Sequence, residues 1–227
     1  MVNWLHSIVH NPQKGWDPIP RSYAESYAAG EVASTELIDE LERRLGRLAG
    51  KRILDLGGGP GEYSVAFAER GANVTWHDVS ANYRSIARKR AEQAGSRITF
   101  SLGYLEQASA LRPAFDLVFC RTCWYYGRND RLLARTLWNL VAPGGAAYIE
   151  NDTWEMDFSR GIHSLTYALN RFTGWKIGHP MPPRGRIAAS FAGFPVAWLC
   201  MDYRRPAFDR VLVGKPPRLP RETRHAG

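Results

Sequence analysis

With 227 residues, the chain is long enough for one elaborated domain and too short for two large ones. A hydrophobic fraction of 44%, with 9 Phe, 8 Trp and 10 Tyr, supplies a sizeable core without disulfides or metals and excludes global disorder. The net charge of +8 is lopsided, since residues 1–150 hold 18 Lys or Arg against 16 Asp or Glu and residues 151–227 hold 12 against 6. Charge therefore permits an anionic partner such as RNA, a phosphorylated metabolite or a membrane surface, without requiring one. No stretch reaches the roughly 18 consecutive apolar residues of a spanning helix, and the first twelve residues lack the apolar run of a signal peptide. Three cysteines, Cys120, Cys123 and Cys200, make no disulfide framework. The expectation is a cytoplasmic protein in a reducing compartment, without a membrane anchor.

In chain order, residues 1–30 form an irregular start broken by Pro12, Pro18 and Pro20, followed by a short helical stretch that sets Tyr23 and Tyr27 four apart on one face. This segment reads as an N-terminal flap or lid over a domain spanning 31–214. Residues 36–48 put Leu37, Leu41, Leu45 and Leu48 on one stripe, an amphipathic helix that stops at Gly50. Strand-like runs follow at 53–56, 73–77, 98–102, 115–120 and 146–149, separated by helical patterns at 62–69, 81–94 and 130–140. Such alternation predicts a parallel sheet with helices on both faces. Pro143, Gly144 and Gly145 predict a tight turn before the fifth strand. Two further strands, 196–203 and 208–213, are joined by too few residues for a parallel crossover, so they must be antiparallel. The fold class is thus α/β, a doubly wound, mostly parallel seven-stranded sheet ending in an antiparallel hairpin. Residues 215–227, with three prolines and four basic residues, read as a disordered or loosely attached tail.

The sharpest local signal is Ile53-Leu54-Asp55-Leu56-Gly57-Gly58-Gly59-Pro60-Gly61-Glu62, an apolar strand running through a glycine-rich turn into a helix. Glycines there permit a tight turn and close approach of a ligand to the main chain, which points to a nucleotide-type cofactor. The dinucleotide fingerprint G-x-G-x-x-G would place its third glycine where Glu62 stands, and the carboxylate of Glu62 opposes a pyrophosphate at the helix start. NAD and FAD are disfavoured.

Asp55, Gly57, Gly59 and Gly61 make the acidic residue and G-x-G-x-G arrangement that resembles the first motif of the class I S-adenosylmethionine-dependent methyltransferases, whose fold is Rossmann-like. The resemblance continues in order from about Leu37 to Val213. Asp78, twenty-three residues after Asp55 and next to Val79, stands where that family's acidic residue takes the ribose hydroxyls, and a carboxylate suits a diol because each oxygen accepts one hydrogen bond. Residues 115–119 are similar to the fourth strand, 140–145 to the turn before the fifth, and Gly193-Phe194 to the lead-in of the terminal hairpin. One departure concerns the adenine: the family's Gly-Asp after the third strand is replaced by Gly103, Tyr104 and Leu105, leaving backbone amides or the Tyr104 ring to meet the base. Cys120 and Arg121 fall where the family sets main-chain carbonyls near the methionine part of the cofactor. The resemblance implies S-adenosyl-L-methionine as cofactor.

In parallel sheets ligands bind beyond the carboxyl ends of the strands, so the methyl acceptor is expected against 120–126, 150–153, the flap and 154–186. Trp124, Tyr125 and Tyr126 either wall that site, facing the sulfonium by cation–π attraction, or anchor the next helix in the core. Tyr23 and Tyr27 reach it from the flap. His163 and His179 are candidate general bases, Glu150, Asn151 and Asp152 are rival polar contacts, and Arg184 and Arg186 either clamp an anionic acceptor or form an exposed basic loop. The C-x-x-C spacing of Cys120 and Cys123 raises a zinc reading, but the further ligands are missing, and the two thiols read as packing residues. The expected activity is methyl transfer to oxygen or nitrogen of a small organic acceptor. Two rivals stand beside it: an RNA methyltransferase using the basic last third, and a non-catalytic S-adenosylmethionine-binding partner protein.

Overall fold

The computed structural model describes residues 17–111, 114–127, 129–153, 181–202 and 208–218. Seven strands form one sheet in the order β3-β2-β1-β4-β5-β7-β6. The strands are β1 (Arg52–Leu56), β2 (Asn73–Asp78), β3 (Ile98–Leu102), β4 (Phe115–Arg121), β5 (Val141–Asp152), β6 (Trp198–Met201) and β7 (Phe208–Gly214). Pairs among β1 to β5 are parallel, and β7 runs antiparallel to both β5 and β6. Among the described residues the helices are α1 (Arg21–Gly30), α2 (Thr35–Leu45), α3 (Glu62–Glu69), α4 (Ala81–Gln93), α5 (Asp130–Leu140) and the single turn α6 (Arg186–Ala189).

The reason for two covered faces lies in the period-2 alternation of the strands. Leu54, Leu56, Val118, Cys120, Ala147, Ile149, Val211 and Val213 point into one core, with Leu133, Leu137 and Trp138 of α5. Ile53, Leu117, Phe119, Ala146, Tyr148 and Leu212 point into the other, with Leu37, Ile38 and Leu41 of α2 and Tyr63 and Phe67 of α3. Helix starts are set by side-chain caps: Ser34 accepts from the Leu37 amide at 3.3 Å, Ser80 from Tyr83 at 3.1 Å, and Asn129 from Arg131 and Leu132.

Two details differ from the sequence reading. The fifth strand already pairs at Val141 with Phe115, and the register then shifts before Ala146 pairs with Leu117, so Pro143 to Gly145 form an irregularity inside the strand. The tail is also anchored at its start: the Lys215 ammonium donates to the carbonyls of Trp138 and Val141, both at 2.8 Å, and the Gly144 amide donates back to Lys215 and Pro216 carbonyls. A half-buried ammonium satisfied by two helix-end carbonyls is a tether that the proline-rich composition hides. Residues 219–227 lie outside the described residues.

Residues 17–30 are docked. Asp17 accepts the Asn82 amide at 2.8 Å, Asn82 donates its side-chain N–H to the Ile19 carbonyl at 2.7 Å, and Ala24 and Ala28 of α1 are buried. Helix α1 therefore lies against α4, beside the carboxyl ends of β1 and β2. Among the described residues, no helix is long and apolar enough to cross a membrane.

Candidate functional site

The glycine turn between β1 and α3 is held on every side by the sheet. Gly57 and Gly58 amides donate to the His77 carbonyl at 2.7 and 3.2 Å, and the Gly59 amide donates to Asp78 Oδ2 at 3.1 Å. The Trp76 indole N–H donates to the Gly59 carbonyl at 3.0 Å, and its ring is fully buried beneath Gly58. Gly57 has φ +76°, and a side chain there would fall 2.5 Å from Cys123 Sγ. The backbone conformation and the close approach of Cys123 each exclude a larger residue.

Asp55, Gly57, Gly59, Gly61 and Asp78 thus converge on one turn. Asp55 accepts the Ser64 hydroxyl at 2.7 Å and is 3% exposed, so its side chain braces the turn against α3. Burial pushes its carboxyl up to about 7, against the Ser64 hydrogen bond. Asp78 uses Oδ2 for the Gly59 amide and Oδ1 for the Ser80 amide at 2.8 Å, and the Val79 backbone acts on it as well. Burial raises it to about 6, opposed by those backbone donors. Val79 follows directly, and Ser80 caps α4.

The stretch after β3 is fixed by a histidine that sequence reasoning missed. His77 Nε2 lies 3.0 Å from the Tyr104 carbonyl, which can only accept, so Nε2 carries the proton and Nδ1 accepts from Ser101 Oγ at 3.1 Å. Burial lowers its pKa, in keeping with a neutral ring. Tyr104 and Leu105 are positioned by this bond and by Gln107, whose side-chain oxygen accepts the Tyr104 amide at 2.8 Å. Leu105 is buried in the core beside Cys123.

At the tips of β4 and β5, Cys120 and Cys123 are buried with their sulfurs 3.2 Å apart, and the Cys123 thiol donates to the Leu56 carbonyl at 3.1 Å. Thr122 sits at φ +51°, and its amide donates to the Glu150 carbonyl at 2.7 Å. Arg121 bridges Glu150 at 2.9 Å and Glu31 at 3.6 Å, with its guanidinium over the Tyr63 ring. Glu150 in turn is bonded by Tyr148 and Arg210. Burial alone would raise the Glu150 carboxyl, but Tyr148, Arg210 and Arg121 together hold it below the usual range. Glu31, at the end of α1, is thus tied to the sheet.

The aromatic residues separate into two groups. Trp124 is fully buried, its N–H donating to Asp130 at 3.0 Å, and packs near Phe191. It anchors the core, the second of the two readings given by the sequence. Tyr23 and Tyr27 stack with centroids 6.2 Å apart, Tyr27 meets Tyr83, and Tyr125 lies against Tyr126. Tyr23, Tyr27, Tyr126 and Asp78 all act electrostatically on Tyr83, which places these rings around the acidic turn. Arg186 pairs with Asp130 at 3.1 Å, so its guanidinium is engaged away from any acceptor clamp. Arg184 also has partners. Asn151 is buried, its side-chain oxygen accepting the Trp124 amide at 3.1 Å, while Asp152 is half-buried with its pKa raised by burial and by Glu150. His163 and His179 lie outside the described residues.

The turn fits a nucleotide-type cofactor by two tests. A side chain added at Gly59 would meet nothing closer than 4.0 Å, so the backbone there is open to a ligand. Glu62 Oε2, one residue beyond the turn, is shielded from solvent yet has no hydrogen-bond partner, an acceptor that a bound group can satisfy.

Residues 53–145 match the family model described as a methyltransferase domain. This segment is thus similar to methyltransferase domains, and the seven-stranded sheet that holds it is shared with solved methyltransferase structures. Similar curated proteins include the ubiquinone biosynthesis O-methyltransferases of Azoarcus sp., 30% identical over 59% of this chain and 55% of the relative. That of Sodalis glossinidius is 30% identical over 63% of this chain and 65% of the relative. The chain therefore spans little more than half to two thirds of these relatives. An O-methyltransferase family protein from Burkholderia thailandensis shares the fold, with TM-score 0.66 at 20% identity over 96% of this chain and 69% of that one.

Proposed function

We propose that this protein is an S-adenosylmethionine-dependent methyltransferase acting on a hydroxyl oxygen of a small organic acceptor. The observation that carries the reading is the glycine turn pinned by Asp78 and Trp76, within a segment that matches the methyltransferase domain model. The names of the similar curated proteins favour oxygen over nitrogen as the acceptor atom.

S-adenosylmethionine, when bound, supplies a sulfonium methyl that is already activated for displacement. The protein's part is to bind, orient and exclude water, and positioning can supply most of such a rate. Asp78 offers its remaining acceptor capacity to ribose hydroxyls. Gly57, Gly59 and Gly61 bring main chain close to the cofactor, while Tyr104 and Leu105 flank the adenine position and the main chain of Cys120 and Arg121 the methionine end. Tyr23, Tyr27, Tyr125 and Tyr126 form the aromatic surround, and α1 excludes water as a flap. His163 and His179 are the candidates for removing the acceptor proton.

Asp17, Glu31, Asp55, Glu62, Asp78 and Asp152 all act on groups around the turn, although the chain as a whole carries +8. An acidic surround suits a sulfonium and a neutral acceptor, and it opposes a polyanion such as RNA. Calorimetric titration with S-adenosylmethionine, followed by methyl-transfer assays on a panel of hydroxylated aromatic and aliphatic compounds, tests the proposal. Binding without turnover on any compound would point instead to a non-catalytic cofactor-binding partner, and absence of binding would refute the donor.

A further inference from the structure

We propose that Cys120 and Cys123 close into a reversible disulfide that weakens cofactor binding, a redox switch that rests on the donor proposed above. The two sulfurs lie 3.2 Å apart, both buried. Among the described residues no further ligands gather with them into a metal-holding group. What brings the sulfurs together is the chain between them. Thr122, a β-branched residue, is held at φ +51°, a conformation that such side chains rarely adopt, and its amide is fixed to the Glu150 carbonyl at 2.7 Å. That bend turns Cys123 back onto the end of β4, where Cys120 is the last residue but one. Backbone strain of this kind persists only where the surroundings over-determine it, and it concentrates in sites and switch regions.

Cys123 is also the contact between the thiol pair and the glycine turn. Its thiol donates to the Leu56 carbonyl, immediately before Gly57, and its sulfur would lie 2.5 Å from a side chain added at Gly57. Oxidation therefore acts on the turn twice: the proton given to Leu56 leaves, and the sulfur packed against Gly57 is drawn towards Cys120. Cys123, 6% exposed against 0% for Cys120, is the sulfur that an external oxidant meets first. The Cys120 sulfur and burial push the Cys123 thiol up, so the pair rests as a dithiol and reacts when the turn opens. A cofactor seated on the turn protects it. The oxidant is a small external disulfide of the glutathione type. Cys123 sulfur attacks it, and one glutathione leaves with the Cys123 proton. Cys120 sulfur then displaces the second glutathione, which takes the Cys120 proton. Two electrons pass from the protein thiols to the external disulfide, which ends as two thiols.

The test uses the full chain carrying Cys200→Ser, which removes the third cysteine, equilibrated in glutathione buffers of graded oxidised-to-reduced ratio. Mass spectrometry after alkylation counts the free thiols, and calorimetry reads the affinity for S-adenosylmethionine in each buffer. Both thiols should convert to an intramolecular disulfide, and the oxidised form should bind about tenfold more weakly or worse. Linkage then requires saturating S-adenosylmethionine to raise the midpoint potential of the pair by about 30 mV for a tenfold coupling. Cys120→Ala in the same background should lose the dependence of affinity on the glutathione ratio. Two free thiols in the most oxidising buffer, which a packing role alone predicts, would overturn the switch. So would a glutathione adduct in place of the intramolecular bond, or a disulfide with unchanged affinity. Failure of the reduced protein to bind S-adenosylmethionine is a separate result, which refutes the donor and with it the coupling, whatever the thiol count. Should Cys200→Ser not fold, the unaltered chain serves, with peptide mapping to identify which thiols pair.

Discussion

Alanine substitutions at three consecutive glycines separate two physical reasons for the glycine turn. At Gly59 the backbone has φ +47°, and the added methyl meets nothing closer than 4.0 Å, so only conformational strain applies, about 1–2 kcal/mol. At Gly58 the backbone φ is not in the left-handed region, but the methyl would lie 2.3 Å from Trp76 Cδ1 and 2.6 Å from its Nε1. That ring is fully buried and bonded to the Gly59 carbonyl, so the overpacking should cost about 1–3 kcal/mol. At Gly57 both terms act, φ +76° and contacts of 2.5 and 2.8 Å with the Cys123 side chain, for about 2–5 kcal/mol. For a chain of this length 1 kcal/mol corresponds to roughly 2–4 °C in Tm. Melting in the absence of cofactor should therefore rank Gly59→Ala as mildest, lowered by a few degrees, and Gly57→Ala as most severe, lowered by roughly 5–15 °C. Cofactor titration should break this ranking, because the Gly59 methyl projects into the open space that the ligand is proposed to use. Gly59→Ala should melt only a few degrees below the parent yet bind S-adenosylmethionine at least tenfold more weakly. Normal binding by a folded Gly59→Ala, or a Gly59→Ala as unstable as Gly57→Ala, would refute the reasoning.

Asp78→Ala removes the acceptor for both the Gly59 and Ser80 amides, and titration should show cofactor affinity reduced by more than about tenfold with a stability loss of about 1–3 kcal/mol. The Asp55 carboxyl is raised by burial from 3.8 to about 7 in the folded protein, so the native state holds its proton more tightly than the unfolded chain. Its contribution is complete below pH about 4 and is lost as pH rises through about 7, up to about 4 kcal/mol for a shift of this size. Asp55→Asn, which still accepts from Ser64, should therefore gain Tm relative to the parent between pH 5 and pH 8, and a constant difference across that range would contradict the burial argument. His163→Ala and His179→Ala should leave cofactor titrations unchanged, and if neither lowers turnover on an identified acceptor, neither is the base.

The glycine motif and Asp78 were legible because their chemistry is local: a turn of glycines can be read from residue types and spacing alone. The braces of that turn were not. Trp76 and His77 occupy successive positions of an ordinary β2 pattern, and nothing in the sequence distinguishes an indole bonded to Gly59 or an imidazole bonded to Tyr104 from common core residues. The same limit applies to Trp124, whose neighbours Tyr125 and Tyr126 are exposed enough to face a ligand while it is buried against Asp130 and Phe191. A run of three aromatics carries no sign of which ring turns inward.

Charge illustrates the division most clearly. By itself the sequence determined an alternating α/β chain, the antiparallel pairing of its last two strands and a basic total, since these follow from periodicity, connection length and composition. Only the tertiary structure decided where the charge acts. Arg90, Arg121 and Arg210 are consumed by carbonyls and carboxylates of distant segments, while Glu31, Asp55, Glu62 and Asp78, spread over 48 positions of sequence, act together at one turn. Electrostatic interaction depends on distance in space and on burial, and neither is a property of sequence position.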